Sequence, residues 1–110
     1  MIIDDSYNAS FESVKYAIQE VAGIKCKGQK ILIIGDMKEQ GNLSEYFHRN
    51  IIKTVDKKMY LIGFGNIMKN KVDLFKGQKF WTNDKNEIVS HLKQIVKNDD
   101  SIILVKGANS

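Results

Sequence analysis

Lys30-Ile31-Leu32-Ile33-Ile34-Gly35-Asp36-Met37 is the stretch on which the fold turns. Four consecutive apolar residues, bounded by a lysine and a glycine, leave no face for water. Such a run suits a parallel strand buried on both sides. The same signature returns at Ile102-Ile103-Leu104-Val105, within Ser101 to Lys106. Parallel neighbours need crossover connections, usually helices, and the intervening segments supply them. Ser10 to about Ala22 places Val14, Ala17, Ile18 and Val21 at helical spacing. Ser44 is a good cap for a helix to about Lys57 with Phe47, Ile51, Ile52 and Val55 inside. Asn83 or Asp84 caps another to about Lys97, with Ile88, Leu92, Ile95 and Val96 inside. Ile2 to Asp4, Met59 to Ile62 and Lys79 to Trp81 read as shorter strands. The alternation predicts an α/β fold, a Rossmann-like, mainly parallel sheet flanked by helices.

A chain of 110 residues without proline, repeats or a low-complexity linker is expected to form one domain, residues 1–110. Apolar residues make up 43% and charged residues 27%, an ordinary globular balance. No apolar run approaches the roughly eighteen residues of a membrane span, and no basic start leads into a signal-like segment. Cys26 is the sole cysteine, so an internal disulfide is impossible, and a reduced cytoplasmic setting and a monomer are expected. The net charge of +4 comes almost entirely from lysine, Arg49 being the single arginine. Nucleic-acid readers favour arginine and concentrated basic faces. Neither nucleic acid nor membrane is therefore expected as a partner, although the field can attract small anions.

In an open α/β sheet, ligands bind at the carboxyl edge of the strands. Three strand ends matter there. Ile2-Ile3 runs into Asp4-Asp5-Ser6-Tyr7-Asn8-Ala9-Ser10. Carboxylates accept from ribose hydroxyls, tyrosine packs on a base and asparagine can donate or accept. The same residues also suit a plain turn and helix cap, with Asn8 or Ser10 as the cap. The second strand ends in Gly35-Asp36, which directs Asp36 toward the crevice, or forms a simple turn. The last ends in Lys106-Gly107-Ala108-Asn109. Gly63-Phe64-Gly65 opens like a dinucleotide fingerprint, but Met68 stands where the third glycine belongs, so it reads as a turn. His48, one turn into its helix, is given no role.

Asp-Asp-Ser-Tyr-Asn-Ala-Ser followed by Glu12-Ser13 resembles the opening motif of the C-terminal domain of the Mur ligases. The Gly35-Asp36-Met37 segment with Gly41, Ser44 and His48, and the Lys106-Gly107 ending, fit the same family. The resemblance lies nearest the branch that adds D-alanyl-D-alanine to UDP-N-acetylmuramoyl-tripeptide. It departs at Phe11, where the family has proline, at Gln40 in place of leucine, and at Ala108 and Asn109, where serine and arginine are common. Asparagine cannot clamp a carboxylate as arginine does.

The resemblance implies ATP-dependent amide-bond formation in peptidoglycan precursor synthesis. ATP, with Mg²⁺, phosphorylates a peptide carboxylate, and the dipeptide amine attacks the acyl phosphate. It assigns Asp5 to the ribose hydroxyls and Tyr7 and Asn8 to the base and sugar. Asp36, Lys106, Gly107 and Asn109 fall to the dipeptide. No phosphate loop, metal-binding spacing or nucleophile elbow occurs in the sequence. The phosphate and metal sites are therefore expected in other domains of the same enzyme, and the chain in isolation is expected to be inactive. The family continues into a final helix beyond the Lys-Gly motif, so the chain reads as a fragment. Two alternatives remain open at this point: a stand-alone nucleotide-binding domain and a receiver-like interaction module.

Overall fold

The computed structural model describes residues 1–4, 10–37, 44–97 and 100–107. Its elements run β1 (Ile2–Asp4), α1 (Phe11–Gly23), β2 (Lys30–Gly35), α2 (Ser44–Thr54), β3 (Tyr60–Phe64), α3 (Asn66–Lys71), a 3₁₀ turn (Val72–Leu74), β4 (Lys79–Thr82), α4 (Lys85–Ile95) and β5 (Ile102–Lys106). The five strands form one sheet in the order β1-β5-β2-β3-β4. Every neighbouring pair is parallel. The two apolar runs became adjacent central strands, with Ile31 opposite Ile103 and Ile33 opposite Val105.

From β1 through β2 and β3 to β4 the chain advances in one direction across the sheet, and from β4 to β5 it returns. Right-handed crossovers then put α1, α2 and α3 on one face and α4 on the other. The core divides accordingly. Val14, Ile18, Phe47, Ile51 and Met68 pack with Leu32, Ile34, Leu61 and Leu104 on the first face. Ile88 of α4 packs with Ile31, Ile33 and Ile62 on the second.

The helix starts follow local capping chemistry. Ser10 accepts from the Ser13 N–H at 3.2 Å, and Asp84 accepts from the Asn86 N–H at 2.9 Å. Phe11, at the first position of α1, meets Phe47 edge-on with centroids 6.2 Å apart, a contact proline could not make. Two expectations need correction. The strand placed at 59–62 runs from Tyr60 to Phe64, so that Gly63 and Phe64, read as part of a turn, are paired in the sheet, and α3 was not foreseen. Six residues are too short for apolar periodicity to show.

Candidate functional site

The carboxyl edge of the sheet is held together from β5 to β4 by contacts that the sequence read as separate turns. The centre of this edge is Asp36, immediately after β2. Its two carboxylate oxygens accept from the backbone N–H groups of Ile67 and Met68, both at 3.0 Å. A carboxylate at a helix N-terminus satisfies donors that lack intrahelical partners and faces the positive end of the helix dipole. Asp36 thus fastens the end of β2 to the start of α3. Its own N–H donates to the Phe64 carbonyl at 3.1 Å, which adds a second tie to β3.

This clasp explains the Gly-x-Gly segment. Gly65 caps α3 with φ +108°, a conformation side chains rarely adopt. A Cβ there would lie 2.5–2.6 Å from the Asp36 carboxylate atoms. Gly63 admits the Val72 side chain against its backbone. Gly63, within β3, serves packing, and Gly65 serves turn geometry. The Gly65 carbonyl accepts from the Trp81 indole at 2.8 Å, and Lys69 Nζ lies 5.3 Å from the Trp81 ring centroid. Asn83 donates to the Asn66 side chain at 3.4 Å.

On the other side of Asp36, β2 and β5 lie in register with Ile34 opposite Lys106. The Gly35-Asp36 and Lys106-Gly107 ends are therefore neighbours. Gly107 has φ +70°, and a Cβ on it would come within 2.8 Å of the Met37 side chain. Met37 is buried, and its N–H donates to His48 Nε2 at 2.9 Å. A ring nitrogen that accepts carries no proton, so His48 presents Nε2 as a lone pair to the backbone. His48 is wholly buried and meets Phe47 edge-on, with ring centroids 5.4 Å apart. It shares the buried stripe of Ile51, Ile52 and Val55. A histidine inside an apolar helical stripe needs an internal partner, and that was the available sign of its role.

Lys71, almost buried, pairs with Glu45 and joins α3 to α2. That hydrogen-bonded ammonium holds the Glu45 carboxyl below its ordinary value. On the opposite face, the His91 ring stacks on Phe80 with centroids 3.8 Å apart and shares a 2.6 Å hydrogen bond with the Tyr60 hydroxyl. Burial pushes the His91 imidazole down and the Tyr60 hydroxyl up.

The sequence matches the family described as Mur ligase, glutamate ligase domain, over residues 1–109. The chain belongs to the Mur ligase family. A UDP-N-acetylmuramoyl-tripeptide–D-alanyl-D-alanine ligase of Buchnera aphidicola is 31% identical over 113 residues, covering all of this chain and 24% of that protein. The ligase of the same name from Escherichia coli is 30% identical over 122 residues, again covering all of this chain and 24% of its own length. The MurF ligase of Thermotoga maritima, solved in complex with ADP, superposes with a TM-score of 0.74 at 25% identity. That match covers 96% of this chain and 24% of the solved one. The chain thus spans about a quarter of the relatives it matches.

Within this Mur ligase domain, Asp36, Lys106 and Gly107 come together at the carboxyl edge. Asp36 faces α3 with its carboxylate. Lys106 is wholly buried, on the sheet face of Ile102 and Leu104, and is not without a partner. Asp5, Tyr7, Asn8 and Asn109 lie outside the described residues, as do 38–43. Hollows open between the strand starts and the loops leading to them, with linings such as Lys25, Cys26 and Ser101 or Lys30, Lys58 and Tyr60, and another, as large as the first, runs along the start of α1 with Ser10, Glu12, Ser13 and Lys15 in its lining. The carboxyl edge remains the better candidate for ligand chemistry, because its turns carry the family motif. Among the described residues, no three of His, Cys, Asp and Glu come together to hold a metal ion.

Proposed function

We propose that this chain is the C-terminal domain of an ATP-dependent ligase of the bacterial cytoplasm, with residues 1–110 acting as one unit. That ligase joins D-alanyl-D-alanine to UDP-N-acetylmuramoyl-tripeptide in peptidoglycan precursor synthesis. The observation that carries the reading is the whole-chain similarity to two ligases of that name. The fold shared with the ADP-bound Thermotoga enzyme supports it.

In this reading the domain closes over ATP and seats the dipeptide, while the N-terminal and central domains of the enzyme hold the phosphates and the UDP-sugar. Asp5 accepts from the ribose hydroxyls, and Tyr7 and Asn8 lie beside the base and sugar. Asp36 has acceptor capacity beyond its two bonds to α3 and takes the dipeptide ammonium. Lys106 supplies positive potential from beneath the seat, Gly107 allows close backbone approach, and Asn109 contacts the dipeptide carboxylate as a neutral amide. Positioning of this kind carries much of phosphoryl and acyl transfer. Mg²⁺ assists that transfer when bound. Among the described residues, no three of His, Cys, Asp and Glu come together to hold it.

The test is a graft. This chain replaces the C-terminal domain of the Escherichia coli ligase, and ligation is followed with ATP and D-alanyl-D-alanine. Activity is expected in the chimera and none in the chain alone. Turnover of ATP by the isolated chain, or a folded chimera that uses a different amino acid or dipeptide, would refute the proposal.

A further inference from the structure

We propose that the amino edge of the sheet, opposite the carboxyl-edge site, is a docking surface for an anionic phospholipid bilayer. The loops that enter β2, β3, β4 and β5 all lie on this edge. Between them they carry Lys25, Lys27, Lys30, Lys57, Lys58, Lys76, Lys79 and Lys97, half of the sixteen lysines of the chain. Seven of the eight are exposed, Lys30 being half-buried. The carboxylates on the described part of the edge are Asp56, Asp73 and Asp100, so positive charge predominates.

The loops pack against one another and form one surface. Gln29 donates its N–H to the Ser101 hydroxyl at 3.1 Å, and a Cβ on Gly28 would strike Ser101. The Leu61 N–H donates to the Gln78 carbonyl at 3.0 Å, and Gly77 sits against the Lys57 carbonyl. Lys30 donates to the Ala22 carbonyl at 2.6 Å, and Lys79 to the Phe75 carbonyl at 2.9 Å. Carbonyls fix these two ammonium groups without neutralising them. Five strands at about 4.8 Å spacing make the edge about 19 Å wide, comparable with two Debye lengths at physiological salt.

The chemistry of the patch selects the partner. Every basic side chain on it is lysine, a point charge suited to a diffuse field of headgroups. Arg49, the residue type that reads phosphates bidentately, lies in α2. Among the described residues, the exposed tyrosines that could stack on bases, Tyr16 and Tyr46, lie on α1 and α2. Such a surface departs from the expectation, read from the sequence, of no membrane partner. These lysines are scattered through the sequence, and only the parallel topology gathers them. No helix among the described residues is long and apolar enough to cross a membrane, so the contact is peripheral.

The test is co-sedimentation of the chain with vesicles of equal parts phosphatidylglycerol and phosphatidylcholine, against pure phosphatidylcholine, at low and high salt. Binding is expected with the anionic vesicles alone and should vanish at about 0.5 M salt. The triple variant Lys25→Glu, Lys57→Glu, Lys76→Glu should lose roughly a hundredfold or more in partitioning. The triple variant Lys15→Glu, Lys69→Glu, Lys85→Glu changes the net charge equally, away from this edge, and should lose less than about tenfold. Should the first variant fail to fold, Lys25→Gln, Lys57→Gln, Lys76→Gln replaces it with the same expected direction. Equal losses in the two sets would overturn the proposal by reducing the effect to net charge. So would absence of binding, or equal binding to duplex DNA or polyglutamate at matched ionic strength.

Discussion

Substituting Gly65 by alanine and Asp36 by alanine, singly and together, tests the clasp that organises the carboxyl edge. Asp36→Ala removes two carboxylate bonds to the N–H groups of Ile67 and Met68. Bonds to charged groups contribute about 1.5–3 kcal/mol each, and helix caps about 0.5–2 kcal/mol in total. Asp36 is only part-buried, so water can replace some of the loss, and about 2–3 kcal/mol is expected. Gly65→Ala forces a side chain into φ +108° at a backbone cost of about 1–3 kcal/mol. Its Cβ also drives the Asp36 carboxylate from its place, so the clasp is lost as well, for about 3–5 kcal/mol in all. In the double variant the clasp can be lost only once. Its destabilisation should fall short of the sum of the single effects by about 2–3 kcal/mol, the energy of the clasp. Urea denaturation with a shared slope measures all three values. Additivity within about 0.5 kcal/mol would refute the argument, as would an Asp36→Ala effect below that size.

Other predictions test neighbouring parts. His48→Ala leaves the buried Met37 N–H without an acceptor and should cost about 1–3 kcal/mol beyond the loss of packing, with partial recovery in His48→Gln; equal unfolding midpoints for the two variants would deny the hydrogen bond any role. Two groups should shape stability toward acid. His91 has its value lowered, so its contribution is complete above the ordinary 6.5 and declines as pH falls from there through the folded value. Glu45 is lowered by Lys71, so its contribution is present above the ordinary 4.5 and is lost as pH falls through its lower folded value. Thermal unfolding at fixed ionic strength should show both stages, with Glu45→Gln removing the lower and His91→Gln the upper. In the ligase chimera, Asp5→Ala should lower kcat/KM for ATP roughly ten- to a hundredfold through loss of one charged hydrogen bond; unchanged kinetics would reduce that turn to a helix cap. Asn109→Arg in the same chimera should lower the KM for D-alanyl-D-alanine without changing that for ATP, and an unchanged dipeptide KM would place the seat elsewhere.

The sequence by itself determined the architecture. Ile31 to Ile34 and Ile102 to Val105 are legible because burial on both faces of a strand excludes polar residues from every position. The stripe of Val14, Ile18 and Val21 is legible because one helix face must be apolar. The Ser10 and Asp84 caps were open to reading because capping is a local interaction over three residues. The family motifs were likewise contiguous, so the kinship could be read before any coordinates.

Only the tertiary structure decided what the edge residues do. Asp36 and Ile67 are 31 residues apart, and nothing local joins them; the β2–β3 pairing brings them together. Gly65 was legible as a turn glycine, yet the reason it cannot carry a side chain is a carboxylate from another strand. His48 looked idle because its partner, the Met37 N–H, lies 11 residues away in the chain. The lysines of the amino edge are scattered along the sequence, and parallel pairing sets their four loops side by side. Periodicity and caps are short-range and leave their mark on neighbouring residues. Clasps and charged surfaces depend on which strands become neighbours, and chain topology alone fixes that.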